Sequence, residues 1–317
     1  MPLTHKQRVA LAGSKQIGLR FLEVLIHEAI DVLAGVVTID DRGDARSAHE
    51  AIRARSNEAG LAFNVVTSRA TQDLALDQLD ADVVIVAGWY WLISKRVMAG
   101  RTFVGIHHSL LPAYRGGSPL VWAMIRGEQV VGTTLFQLDA GIDSGPVYGQ
   151  AAVEVRESDT IADVAERLET AAVTLLEENL SSILSGTASP SPQDEVGASY
   201  VKQRRAENGA INWTWPAGTV HDFVRAQSEP YPGAFTFFDG QQLQVWRTAL
   251  TPETSQEPPG QVVADGVVCG DGRVLALLDV QFNDERGPLD RVMSACGTGR
   301  ISGGSSSRFT RFGERGP

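Results

Sequence analysis

Two segments carry the residues best suited to chemistry. His107 and His108 follow an apolar run, Phe103 to Ile106, within Val104-Gly-Ile-His-His-Ser-Leu-Leu-Pro112. Asp143 follows a second apolar run, Gly132 to Leu138, within Gln137-Leu-Asp-Ala-Gly-Ile-Asp-Ser-Gly-Pro-Val147. A carboxylate within hydrogen-bond reach of an imidazole orients the ring and stabilises its cation, which is the equipment of a proton shuttle near neutral pH. Taken as an isolated pair, His107 and Asp143 equally suit a strand cap and a turn closure.

The elements around them decide where such a pair would sit. Arg8 to Ala12, Val32 to Ile39, Ala62 to Val66 and the fully apolar Asp82 to Ala87 read as strands. Helical spacing in Ile17 to His27, helical composition in Asp40 to Gly60, and a long helix from Asp159 to Leu184 alternate with them. This order implies an α/β fold with a doubly wound, mostly parallel sheet, in which ligands lie outside the carboxyl ends of the strands. The loop Gly13 to Gly18 matches neither the dinucleotide fingerprint nor the P-loop pattern, so a tight strand-to-helix turn is the preferred reading over a phosphate site.

Gly186 to Ser199 has linker composition, rich in Ser, Pro and Gly. Beyond it, Ile211 to Trp215, Ala234 to Phe238, Gln242 to Thr248, Gly260 to Ala264, Val267 to Cys269 and Arg273 to Val280 read as short strands, broken by a helix near Pro216 to Gln227. Turn dipeptides such as Asp239-Gly240 separate them, and the pattern implies a small OB-like β-barrel. The boundaries that follow are a first domain at 1–188, a linker at 189–203, the barrel at 204–302 and a disordered tail at 303–317.

Composition limits the partners. The net charge is -10, which disfavours ligands held mainly through phosphates, nucleic acids above all. Cys269 and Cys296 are the only cysteines and have no metal-ligand spacing, so neither a disulfide framework nor a metal is expected. No apolar run approaches the ~20 residues of a membrane span, and the N-terminus lacks a secretory core, so cytoplasmic residence is the expectation.

His-x-Ser-Leu-Leu-Pro-x-Tyr-Arg-Gly (His107 to Gly116), Gly-Thr-Thr (Gly132 to Thr134) and Asp-x-Gly-x-Asp-x-Gly (Asp139 to Gly145) together resemble the 10-formyltetrahydrofolate-dependent formyltransferases. The segment Val220 to Thr236 and the late Gly297 to Ile301 are similar to the C-terminal domain of the methionyl-tRNA and amino-arabinose members. The resemblance implies catalytic roles for His107 and Asp143, which manage protons while an amine attacks the formyl carbon and tetrahydrofolate departs through N10. It places the pterin against Gly88, Trp89, Tyr90 and Leu92 and against Leu138, Asp139, Ala140 and Gly141, with at least one of the adjacent aromatics in the core. It turns Ser109, Tyr114, Arg115, Gly116, Gly117, Ser118 and Trp122 towards the acceptor, with Arg115 able to pair with an anionic group.

The family's third catalytic residue is an Asn two positions before the His, a donor to the formyl oxygen. Gly105 stands there. Losing one such donor costs on the order of 100-fold or more. Three explanations compete: His108 or a backbone N–H replaces the donor, the one-carbon transfer is altered, or the chain binds folate without turnover. The first keeps the rest of the motif meaningful. The tRNA members are expected to carry a Lys- and Gly-rich insertion after the second strand, and residues 39–60 have none. That favours a small-molecule amine, a nucleotide-linked amino sugar before an amino-acid-like amine such as hydroxyornithine, and leaves the oligomeric state, a homodimer included, open.

Overall fold

The computed structural model describes residues 7–238, 240–263 and 266–295. It forms two units: one comprises the chain up to residue 119 with 130–154 and 166–201, the other 120–129, 155–165 and the chain from 202. The features read at Asp239, Ala264, Cys296, Gly297 to Ile301 and 303–317 lie outside the described residues.

In the first unit, β1 (Val9–Gly13), α1 (Lys15–Ala29), β2 (Leu33–Ile39), α2 (His49–Glu58), β3 (Phe63–Val66), α3 (Arg69–Gln78), β4 (Val83–Ala87), α4 (Lys95–Met98) and β5 (Thr102–His107) alternate, and of these only α3 and α4 go beyond the elements the sequence predicts. In chain order there follow β6 (Arg115–Gly116), α5 (Pro119–Ile125), which beyond Pro119 belongs to the second unit, β7 (Val130–Gln137), β8 (Val147–Glu154), α6 (Ile161–Leu184), which belongs to the first unit from residue 166, and β9 (Tyr200–Val201). The seven-stranded sheet runs β3-β2-β1-β4-β5-β7-β8, with β7 and β8 antiparallel to their neighbours and the rest parallel. The order reverses between β1 and β4, which opens a crevice at their carboxyl ends.

The wholly buried strands β1 and β4 explain the continuous apolar runs: both faces of the sheet are covered. One face, with Leu11, Ile85, Val104 and Leu135, packs in a cluster with α1 and α6. The other, with Ala10, Val37, Val84 and Phe103, packs with Leu76, Ile93 and Val97. Helix α3 carries no strong apolar stripe and is missed by the sequence reading; a capping box between Ser68 and Thr71 starts it.

In the second unit, α7 (Ala217–Arg225) is followed by β10 (Ala234–Phe238), β11 (Gln241–Thr254), β12 (Val262–Val263), β13 (Gly266–Val268), β14 (Arg273–Phe282), β15 (Glu285–Gly287) and α8 (Leu289–Ala295). The strands form one antiparallel sheet, β10-β11-β14-β13-β12 with β15 on β14, curled as a half-barrel around a single core. The strand expected at Ile211 to Trp215 is absent. Ile211 and Trp213 are both buried, which mimics strand alternation, but they sit on a turn ahead of Pro216, with the Trp213 indole N–H donating to Thr236 Oγ1 at 3.0 Å.

Candidate active site

Strand β5 delivers His107 to the carboxyl edge of the sheet. Its register with β7 pairs His107 with Thr134 and Gly105 with Phe136, so the side chains of His107, Thr134 and Phe136 share one face with Gly105. The loop after His107 is fixed from below. Thr134 Oγ1 accepts from the Leu111 N–H at 3.2 Å and donates to Ser109 O at 2.6 Å, while Gln150 Nε2 donates to Leu111 O at 2.7 Å.

His107 is buried, and its Nε2 donates to the carbonyl of Tyr114 at 2.9 Å. That places its Nδ1 towards Asp143, whose Oδ2 lies 3.7 Å away. The distance is an ion-pair distance and longer than a hydrogen bond; catalytic contacts of this kind shorten when a ligand closes the site. Asp143 Oδ2 also accepts the Gly116 N–H at 2.8 Å, which ties the two loops together. Tyr114, Ser118 and Asp143 adopt positive φ (59°, 56° and 51°), and such backbone strain clusters where the surroundings over-determine geometry.

His108 does not replace the missing donor. Adjacent residues on a strand face opposite sides, and His108 turns to the other face, where Nδ1 lies 3.3 Å from Thr133 Oγ1. Burial, with the neighbouring His107, pushes its imidazole down to about 4, so it is neutral at pH 7. Nor does Gly105 leave a vacancy: a Cβ there would lie 2.7 Å from Leu138 Cδ1 and 3.1 Å from Phe136 Cε1. Leu138, expected at the pterin site, occupies the space of the absent Asn.

Other expected site residues divide. Gly88 has φ 65° and a Cβ there would meet Ser14 O at 2.0 Å, so only glycine lets the loops after β1 and β4 join. Trp89 donates to Gln72 Oε1 at 2.7 Å, and both Trp89 and Trp91 pack on the core, whereas Tyr90 and Leu92 are exposed at the crevice edge. Asp139 closes its own loop, accepting from the Gly141 N–H and from Ser144 Oγ, both at 2.9 Å; Ala140 and Gly141 are exposed.

Arg115 does not face an acceptor. It is fully buried, with Nη2 2.7 Å from Glu195 Oε1, Nη1 2.9 Å from Tyr200 Oη, and Nε and Nη2 at 3.1 and 2.8 Å from Gln193 Oε1. The physical reason lies in residues 191–201, whose linker composition conceals a strap that pairs β9 with β6. Ser109 also turns inward, donating to Ala113 O at 2.6 Å, and Gly117 N–H is taken by Val201 O at 3.0 Å. Trp122 belongs to the second unit, its indole N–H bonded to Lys202 O at 2.7 Å and its ring beneath Arg204.

The loop after β1 holds a cluster that sequence reasoning passed over. Lys15, at φ 61°, lies 2.7 Å from Asp41 Oδ2 and 2.8 Å from Asp44 Oδ2, and Ser14 Oγ donates to Asp41 at 2.6 Å. Burial works against the Asp41 carboxylate, yet Lys15, Ser14 and Ser47 hold its carboxyl below the ordinary range. The Lys15 charge is thus met by two carboxylates, which favours the tight-turn reading of this loop over a phosphate site. Among the described residues, no group of three or more His, Cys, Asp or Glu could hold a metal ion, and no helix is long and apolar enough to cross a membrane.

Comparison with known proteins agrees with this geometry. Residues 8–180 match the model of the formyl transferase family, and residues 204–287 match that of the formyl transferase C-terminal domain. A methionyl-tRNA formyltransferase of Paenarthrobacter aurescens is 33% identical over 84% of this chain and 88% of its own. Two solved structures share the fold at TM-score 0.67. One is WlaRD, a sugar 3N-formyl transferase with dTDP and 5-N-formyl-THF, at 17% identity over 86% of this chain and 97% of its own. The other is an N-formyltransferase from Helicobacter canadensis with folinic acid and dTDP-3-aminofucose, at 18% identity over 84% and 97%. With both domains matched and His107, Asp143 and their supporting loops brought to one edge of the sheet, the chain belongs to the 10-formyltetrahydrofolate-dependent formyltransferase family.

Proposed function

We propose that this enzyme moves the formyl group of 10-formyltetrahydrofolate to the primary amine of a small molecule, a nucleotide-linked amino sugar. The observation that carries the choice of acceptor is the way positive charge is spent. In the loop after β2, where a tRNA-binding insertion is expected, Arg42 pairs with Asp40 at 2.8 Å, Arg46 with Asp44 at 2.7 Å, and Lys15 with Asp41. Residues 204–287 contain six arginines and no lysine against eleven carboxylates. Phosphate-backbone binding depends on cations able to displace counterions, and neither segment offers a cluster of them.

The folate supplies the activated formyl carbon and an amine leaving group at N10. The residues fit it: Tyr90, Leu92 and Ile142 present exposed apolar surface on the loops after β4 and β7, beside Leu138, and suit a flat aromatic ring. His107, oriented through Nε2 by Tyr114 O, turns Nδ1 towards Asp143. There it would take up the proton that the attacking acceptor amine releases and hold it for the nitrogen that leaves the formyl carbon. Asp143 balances the imidazolium in between.

A second reading, methionyl-tRNA as acceptor, is favoured by the relative from Paenarthrobacter aurescens, which has higher identity than the two sugar enzymes. A third, folate binding without turnover, is favoured by Gly105 and the Leu138 side chain packed on it. Incubation with 10-formyltetrahydrofolate and dTDP- or UDP-linked amino sugars, initiator methionyl-tRNA or no acceptor separates the three. Release of tetrahydrofolate with an amino sugar alone supports the first. Release with tRNA alone supports the second. Tight folate binding with no release supports the third.

A further inference from the structure

Gln193 lies between the two family matches, in a segment whose composition reads only as linker. Its carboxamide is nonetheless saturated. Nε2 donates to Asp143 O at 2.8 Å and to Gly145 O at 2.7 Å, while Oε1 accepts from Arg115 Nε and Nη2. Two donors and two acceptor directions are all that an amide has, so a carboxamide and no carboxylate satisfies this position.

These bonds fall on the residue that most needs them. Asp143 holds a left-handed backbone (φ 51°), which non-glycine residues adopt uncommonly. Its carboxylate is held by Gly116 N–H and its carbonyl by Gln193; Gly116 in turn follows Arg115, the residue that clamps Gln193. The strap itself is fastened by Arg115 to Glu195 and by the pairing of Arg115 with Tyr200 and Gly116 with Val201. All of these residues belong to the first unit.

We propose that Gln193 is a positioning residue for the reaction: it fixes the backbone of the Asp143 loop so that the carboxylate faces His107. The inference rests on the formyl-transfer reading for its kinetic effect, but its geometric content is independent of turnover. Outer partners of this kind are worth about 10- to 100-fold when removed from metal ligands, and the same range is expected here for kcat.

The test uses full-length Gln193→Leu and Gln193→Glu beside Asp143→Asn and the double variant Gln193→Leu/Asp143→Asn. The expected result is a 10- to 100-fold loss of kcat in both Gln193 variants, with KM for 10-formyltetrahydrofolate changed by about twofold or less. In the Gln193→Leu background, Asp143→Asn should then cost far less than it does in the wild type, because the carboxylate is already misplaced. A merely structural residue would give effects that multiply, and that result overturns the proposal, as does wild-type kcat in either variant. If Gln193→Leu fails to fold, the near-isosteric Gln193→Glu carries the test in its place, including in the double variant. If the wild-type chain turns over no acceptor, the transfer reading fails and the 15N shifts of the His107 ring decide the positioning claim alone. Shifts in the Gln193 variants that coincide with those of Asp143→Asn support it. Shifts that stay at wild-type values refute it.

Discussion

Replacing Gly105 by Asn puts the family's formyl-oxygen donor back into a site that has been filled. A Cβ at residue 105 would lie 2.7 Å from Leu138 Cδ1, closer than real contacts allow, and 3.1 Å from Phe136 Cε1. Leu138 can yield, since its contacting atom is a flexible side-chain tip and the residue is only half-buried. Phe136 cannot yield as easily, because it is buried and stacks edge-on against His107 with ring centroids 6.5 Å apart. Overpacking of this kind costs about 1–3 kcal/mol, and melting should fall by roughly 2–4 °C per kcal/mol. Gly105→Asn alone should therefore lose stability and gain little rate, its amide deflected by Leu138. The double variant Gly105→Asn/Leu138→Ala removes the obstruction, and kcat for tetrahydrofolate release should rise on the order of 100-fold over Leu138→Ala alone. The assay is tetrahydrofolate absorbance under single-turnover conditions, alongside thermal melts. A Gly105→Asn protein that melts like the wild type would refute the packing reasoning. A double variant no faster than Leu138→Ala would show that the donor's role is already filled.

Three further outcomes follow from the same geometry. His108 is held near 4 by burial and by His107, below the ordinary histidine value of 6.5; the unfolded chain therefore binds its proton first, and stability present above pH 6.5 is lost as pH falls towards 4. About 2 kcal/mol of that loss falls between pH 7 and 5, and denaturant titrations of His108→Asn should lack it; equal slopes in the two proteins would contradict this. Arg115→Met should cost roughly 1–3 kcal/mol, since it leaves the half-buried Gln193 Oε1 without its donors while the exposed Tyr200 and Glu195 return to water, and equal denaturation midpoints would overturn the assignment. Initiator tRNA should elute without retention at about 150 mM salt from the immobilised protein; retention that weakens with rising salt would reverse the preference for a small acceptor.

The sheet was legible because its strands are apolar on both faces and bounded by polar turns, as in Val83 to Ala87, and because His107 and Asp143 each close such a run. What escaped was determined by contacts remote in sequence. Arg115 reads as an acceptor-facing cation until Glu195, Gln193 and Tyr200 enclose it from about 80 residues away. His108 could be offered as a substitute donor only while the face of its strand was unassigned; its contact with Thr133, on the face opposite His107 and Thr134, removes it. Gln193 carries no motif, and a Ser- and Pro-rich neighbourhood hides a strap whose order comes from the bonds it makes rather than from its own propensity. In the second unit, Trp213 shows the reverse error, a buried alternation without a strand.

The proposed reaction gives His107 and Asp143 the proton transfer in formyl transfer to an amine. The decisive measurement follows tetrahydrofolate release from 10-formyltetrahydrofolate, with a nucleotide-linked amino sugar as acceptor, in the wild type, His107→Ala and Asp143→Asn. Acceptor-dependent release is expected in the wild type, with a loss of roughly 100-fold or more in each variant. Release that persists unchanged in His107→Ala would contradict it.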